Sequence, residues 1–364
     1  MKKRRIAILT SGGDCSGLNA VIRAVTKKAI HEYAYEVVGI KDGFEGLIFK
    51  SWRMLGEADV SGILTMGGTI LGTTNRANPY KYPIETRTKV SYKDLSSRVL
   101  RNLHQLKIDC LVTIGGDGTL DTAHRLACQG VPIVGVPKTV DNDVKGTDIT
   151  FGFDTAVHVA TEGIDRLHTT AESHHRIMIL EVMGRRAGWI ALYAGLAGGG
   201  DIILIPEIPY NVPLLAKHIK DRRRRGKNFT ILVVAEGAKP VGGQVTVQRI
   251  VKDASAPVRL GGVSFLLGQE LERLTGIETR NCVMGHLQRG GSPSPFDRIL
   301  ATQLGSKAVD LIAQGRFGYM VAVKESRLTH VPLAEVAQGS RLVPTDHPLI
   351  KDARALGACF GDEK

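Results

Sequence analysis

The stretch Cys110-Leu111-Val112-Thr113-Ile114-Gly115-Gly116-Asp117-Gly118-Thr119-Leu120 passes from an almost unbroken apolar run into a glycine turn that carries one carboxylate. A short apolar run bounded by glycine reads as a strand covered on both faces, and the residues after the turn read as the start of a helix. The same pattern recurs along the chain. β-like runs at Ile6–Leu9, Val37–Ile40, Ile133–Val136, Ile177–Val182, Ile202–Ile205 and Thr230–Ala235 are separated by amphipathic helical patterns, among them Leu18–Ile30, Leu95–Leu106, Val157–Leu167 and Val263–Leu274. Such alternation predicts the α/β class with parallel, doubly wound sheets. At least seven strands in 364 residues suit two such sheets. No low-complexity linker divides the sequence, so the chain is expected to cross between the two lobes more than once. The polar, mixed tail after Ser340 is expected to pack at the periphery.

Composition narrows the classes. With 43% hydrophobic and 23% charged residues the chain has the balance of a globular protein with a sizeable core. No apolar run is long enough to span a bilayer, so no membrane partner is expected. The basic start Met1–Arg5 is followed by only Ile6–Leu9 before polar residues, which is too short for a signal peptide. Five scattered cysteines without a CxxC pair argue against zinc and against a disulfide framework. A reducing, cytoplasmic setting is the expectation. The net charge of +12 leaves three anionic partners in play: nucleic acid, a membrane surface or small phosphorylated ligands. The densest basic run, Arg222-Arg223-Arg224-Arg225-Gly226-Lys227, lacks interleaved aromatics and any reader motif, so no nucleic-acid partner is expected. It reads either as a solvated helix end or as a pocket for a phosphorylated effector.

Ligands of open α/β sheets sit beyond the carboxyl ends of the strands. After Ile6–Leu9 comes the turn Thr10-Ser11-Gly12-Gly13-Asp14, whose glycines let backbone N–H groups approach phosphate oxygens. After Cys110–Ile114 comes Gly115-Gly116-Asp117-Gly118-Thr119. A bare carboxylate there repels phosphate unless Mg²⁺ bridges them; the alternative is that Asp117 caps a helix. After Ile133–Val136 comes Pro137-Lys138-Thr139-Val140-Asp141-Asn142-Asp143, two carboxylates beside a lysine. This suits a base that takes a hydroxyl proton, either Asp141 or Asp143. Arg176, Arg185, Arg280, His286 and Arg289 are candidate clamps for a substrate phosphate, because a guanidinium matches phosphate oxygens. Arg76 is a looser candidate for the donor's phosphates.

Together the segments TSGGD (10–14), GGT-x-LG (67–72), IGGDGT (114–119), PKTVDND (137–143), EVMGR (181–185), AEG (235–237), ETR (278–280) and GHLQRGGSP (285–293) closely resemble the 6-phosphofructokinase family, in the family's order. Other kinases with a GGDG loop lack PKTVDND and GHLQRGGSP, and a non-catalytic paralogue would have lost Asp117 or Asp141. The resemblance implies two Rossmann-like domains with the active site in the cleft between them. The division it implies is 1–152 plus 288–338 for the phosphoryl donor and 153–287 plus 339–364 for the sugar phosphate.

The resemblance further implies phosphoryl transfer to the C1 hydroxyl of fructose 6-phosphate, with Asp141 as proton acceptor, assisted by Thr139 and Arg185. Asp117 would hold Mg²⁺. Gly12, Arg76, Gly115, Gly116, Asp117, Gly118 and Thr119 would hold the donor. Thr139, Val140, Asp141, Met183, Gly184, Arg185, Glu236, His286, Leu287, Gln288 and Arg289 would line the sugar-phosphate site. Arginines matching Arg176 and Arg280 come from a neighbouring subunit in this family, which implies a homodimer or homotetramer with shared sites. An effector pocket is implied at Arg23, Lys27, Arg53, Arg225 and Lys227, with Asp201 as a metal-binding acid, although His168 stands where the family has arginine.

Two positions bear on the donor. Gly118 matches ATP-using members, whereas pyrophosphate users carry aspartate there. Lys138 matches pyrophosphate users. The chain resembles the mixed-substrate subgroup, and Gly118 weighs more because it decides whether a nucleotide fits. ATP is therefore the expected donor, with pyrophosphate the alternative.

Overall fold

The computed structural model describes residues 4–85, 90–250 and 258–362. The first strands, β1 (Arg5–Thr10), β2 (Glu36–Ile40), β3 (Trp52–Met54), β4 (Cys110–Gly115) and β5 (Ile133–Pro137), build one sheet. β6 (Ile177–Val182), β7 (Ile202–Leu204), β8 (Thr230–Ala235) and β9 (Thr279–Val283) build a second. The chain then returns to the first sheet with β10 (Tyr319–Lys324) and β11 (Arg327–Pro332). The larger sheet has the order β11-β10-β5-β4-β1-β2-β3 and the smaller β9-β6-β8-β7. Pairing is parallel throughout the smaller sheet and in the centre of the larger one, with antiparallel strands only at the latter's two edges.

Alternation within the strands explains why they read as continuous apolar runs. In β1, Ile6 and Ile8 enter one core cluster while Ala7 and Leu9 enter another on the opposite face. In β6, Ile177 and Ile179 face one cluster and Met178, Leu180 and Val182 the other. A strand buried on both faces has no polar side to reveal its period. The cluster containing Ile6, Ile8, Met178 and Leu180 runs between the sheets and joins the lobes.

The strands expected from sequence all form. The amphipathic patterns become helices at Leu18–Tyr33, Ser96–Gln105, Phe153–His174 and Val263–Thr275, the third much longer than its pattern. One strand adds to those expected, and one expectation needs correction. β9, Thr-Arg-Asn-Cys-Val, lies outside every apolar run picked out above; it is an edge strand that can leave polar side chains half-exposed. The tail after Ser340 is not peripheral. Ile350, Ala353 and Phe360 are buried, Cys359 pairs alongside Ile202 at the edge of the smaller sheet, and the Arg341 amide donates to Asp143 O at 2.7 Å.

Candidate active site

The chain enters the larger sheet at β1, builds β2 on one side and then returns to add β4 on the other. This reversal opens a crevice beyond the strand ends. The loops that leave β1, β4 and β5 are tied to each other there. Ser11 N donates to Ile114 O and Lys138 N to Gly115 O, both at 3.0 Å, and the buried Lys138 Nζ donates to Gly13 O. The loops after β6, β8 and β9 supply the facing wall. Between them lies a cleft of about 760 Å³ lined from both lobes, with Gly12, Asp117, Lys138 and Asp141 on one side and Arg185, Glu236 and His286 on the other.

The acids divide by environment. Asp141 lies on the cleft floor with Oδ1 shielded and without a hydrogen-bond partner. Crowding by protein, followed by the charge of Asp143, pushes its carboxyl up to about 8. Asp143 is also raised, by burial and then by Asp117, while a hydrogen bond from Thr139 opposes the rise. Asp117 stands at the cleft mouth in the first turn of the helix Asp117–Cys128. Its Oδ1 accepts from Gly118 N at 2.7 Å and its Oδ2 lies 3.5 Å from Arg186 Nη1. Burial pulls the Lys138 ammonium below its ordinary value, and Arg289 adds to this.

The glycine turns admit other groups closely. A methyl group built on Gly13 would overlap the Arg289 guanidinium, which donates to Asp14 O at 3.1 Å. Gly13→Ala should therefore swing Arg289 out of the cleft. We expect KM for a phosphorylated substrate to rise roughly tenfold or more, the cost of one hydrogen bond to a charged group, with the fold intact by circular dichroism. An unchanged KM would mean that Arg289 does not touch substrate.

Most of the expected site residues meet at this cleft: Gly12, Gly116, Asp117, Gly118, Thr119, Lys138, Thr139, Val140, Asp141, Met183, Arg185, Glu236, His286 and Arg289. Others do not line it. Gly115 lies beneath, packed against Thr119. Arg76 lies outside the lining, although Thr74, Asn75, Ala77 and Asn78 belong to it. Gly184 supplies a φ of +138°, a backbone geometry only glycine accepts readily, rather than a wall. Gln288 is fully buried, and its Oε1 accepts from Met183 N at 2.7 Å, so it shapes the wall from behind. Leu287 points outward, 67% exposed. Arg176 and Arg280 sit at the amino ends of β6 and β9, away from the cleft, and both pair with Glu278. The sequence reading did not single out Arg186, Asn78 or Gln248, all of which line the cleft. A second arginine after Arg185 carries no spacing signal that would mark it.

The expected effector positions are differently engaged. Asp201 accepts from Arg222 Nη2 at 2.6 Å and from Ile231 N at 2.9 Å. His168 Nε2 is 2.8 Å from Gly198 O. The basic run closes the helix Val212–Arg224: Arg222 turns inward onto Asp201, while Arg224 stays exposed and pairs with Asp221 on its own helix.

Glycine-lined backbone, a shielded carboxylate and convergent cations in one cleft are what transfer of a phosphoryl group requires, since that chemistry is mostly positioning and charge neutralisation. Residues 5–312 match the phosphofructokinase family model. The ATP-dependent 6-phosphofructokinase 2 of Clostridium perfringens is 51% identical over 361 residues, 99% of each chain. The ATP-dependent 6-phosphofructokinase of Chloroflexus aggregans is 52% identical over 363 residues, covering 100% of this chain and 99% of its own. The T-state structure of Pichia pastoris phosphofructokinase superposes with a TM-score of 0.80 at 32% identity, over 93% of this chain and 36% of that much longer one. The chain belongs to the phosphofructokinase family.

Proposed function

We propose that this chain transfers the γ-phosphoryl group of ATP to the C1 hydroxyl of fructose 6-phosphate, giving fructose 1,6-bisphosphate and ADP. The observation that carries the reading is the meeting of Gly12, Gly118, Lys138 and Asp141 with Arg185 and Arg289 around one cleft, in a chain half identical over its full length to relatives named ATP-dependent. Asp141 accepts the C1 hydroxyl proton as the oxygen attacks the γ-phosphorus, and the bond to the β-phosphate oxygen breaks with ADP leaving. Its raised pKa suits it to hold that proton. Arg185 and Arg289 offset the charge spread over the transferred group. Lys138 braces the first glycine turn through Gly13 O.

Asp117 is the residue that would hold Mg²⁺. Among the described residues no cluster of three acidic, histidine or cysteine ligands exists. A single carboxylate at the mouth of a phosphate cradle nevertheless fits this ion, which takes one or two carboxylates and completes its shell with phosphates and water. The ion supplies charge neutralisation at the donor phosphates when bound. Arg176 and Arg280, remote from their own cleft, support sugar-phosphate binding across a subunit boundary in a homo-oligomer.

The deciding assay measures fructose 6-phosphate phosphorylation with ATP-Mg²⁺ and pyrophosphate-Mg²⁺ in parallel. Turnover with ATP is expected; turnover with pyrophosphate alone would reverse the choice of donor. The pH profile is a second test. Asp141 must be ionised to act, and burial keeps it protonated well above the ordinary carboxylate range. kcat/KM should therefore still be climbing through neutrality, reach half its limit near the pKa of about 8 and level off only above it. A plateau already reached at pH 5 would argue against Asp141 as base.

A further inference from the structure

The tail residues Ser340–Val343 run between the PKTVDND loop and the smaller lobe. Ser340 bridges Val144 antiparallel, the Arg341 amide donates to Asp143 O at 2.7 Å, and Arg341 Nη1 donates to Asn142 O at 3.2 Å. The guanidinium lies 4.1 Å above the ring of Trp189, whose Nε1 donates back to Arg341 O at 3.1 Å. Trp189 is buried at the start of the helix Trp189–Ala197, and His347 packs edge-on against it. Further along, Val343 N donates to Glu207 Oε1 at 2.8 Å, and the same carboxylate accepts from Gly188 N. Arg341 is thus matched to a carbonyl and an aromatic face rather than to a carboxylate, a pairing suited to a planar cation.

The loop it grips is held in an unusual shape. Asn142 has a φ of +52°, a left-handed conformation that asparagine accepts more readily than most residues with a side chain and that the contacts around it hold in place. Asn142 Oδ1 accepts from Thr150 N at 3.0 Å on one side, and Arg341 takes the carbonyl on the other. The turn sends the side chains of Asp141 and Asp143 into the cleft while the carbonyls of 142 and 143 meet the tail.

We propose that Arg341 is a positioning residue for phosphoryl transfer: by gripping the backbone at Asn142 and Asp143 and stacking on Trp189, it fixes the Asp141 carboxylate relative to the opposite wall. The inference rests on the function proposed above. The test is steady-state kinetics with ATP and fructose 6-phosphate for the unaltered chain, Arg341→Ala, Arg341→Lys and the neighbouring control Leu342→Ala. Arg341→Ala should lower kcat about a hundredfold, the scale of an ångström's misplacement of a reacting group, with both KM values within about threefold. Millimolar guanidinium ion should recover part of the lost rate. Arg341→Lys keeps the charge but not the flat fork, and its kcat should fall between; Leu342→Ala should match the unaltered chain. A folded Arg341→Ala with unchanged kcat, or a loss carried by KM, overturns the proposal. If Arg341→Ala does not fold, the kcat-against-KM split of Arg341→Lys decides by the same criterion. An unaltered chain inactive with these substrates would overturn the proposed function and this inference with it.

Discussion

Asp141→Asn is expected to lower kcat by about 10³- to 10⁴-fold with little change in either KM, because the amide keeps the shape of the site but cannot take the C1 proton. Stopped-flow or coupled-assay kinetics measure this directly. Near-normal turnover would remove Asp141 from the role of base and leave Asp143, which already accepts a hydrogen bond from Thr139. The same variant has a stability signature. Burial raises the pKa of Asp141 in the folded chain to about 8, whereas an unfolded aspartate ionises near about 4. Between these values the folded state binds more protons than the unfolded state, so this group's contribution to stability falls as pH rises through that window. Asparagine removes that dependence. The variant should melt higher than the unaltered chain at pH 8, and the gap should close as pH falls towards 4. An inactive variant that is also less stable at pH 8 would mean that the carboxylate has a structural partner in solution.

Gly118→Asp is the second large effect. A Cβ at 118 would meet nothing within 4 Å, and Gly118 does not have the positive φ that would demand glycine. Neither backbone nor packing therefore explains the glycine; what it leaves is open space along the cleft wall. A carboxylate projecting there would stand against the donor's phosphates. Two unit charges about 4 Å apart near a protein surface repel by roughly 4 kcal/mol, so kcat/KM for ATP should fall by about a hundredfold to a thousandfold while the melting temperature stays put. Any turnover with pyrophosphate should survive, since the shorter donor does not need that space. Equal loss with both donors would show that position 118 acts on the transferred phosphate and not on the nucleotide.

What could be read from sequence followed from local chemistry. Continuous runs such as Cys110–Ile114 and Thr230–Ala235 announce strands buried on two faces, and the glycines and acids immediately after them mark the cleft, because strand ends in a parallel sheet point one way. β9 escaped because Thr279, Arg280 and Asn281 are polar and the strand lies at an edge, where only its pairing with β6 gives it strand character. Gln288 and Leu287 illustrate another limit. Adjacent residues of one motif point into the core and out to solvent, and only the 3₁₀ turn Gly285–Arg289 decides which goes where. Arg341 lies about 200 positions beyond Asn142, and no pattern near either residue foretells their contact.

The place of Cys359 has a consequence for biogenesis. Its backbone pairs beside Ile202 and receives the Ile203 amide at 3.0 Å, so residues near position 360 complete the edge of a sheet begun 180 or so positions earlier. On the ribosome, the lobe that carries Arg185 and Glu236 stays unfinished until residue 360 has cleared the exit tunnel. Translation stalled shortly before that point should yield nascent chains whose first lobe is compact and protease-resistant while the second is still cleaved.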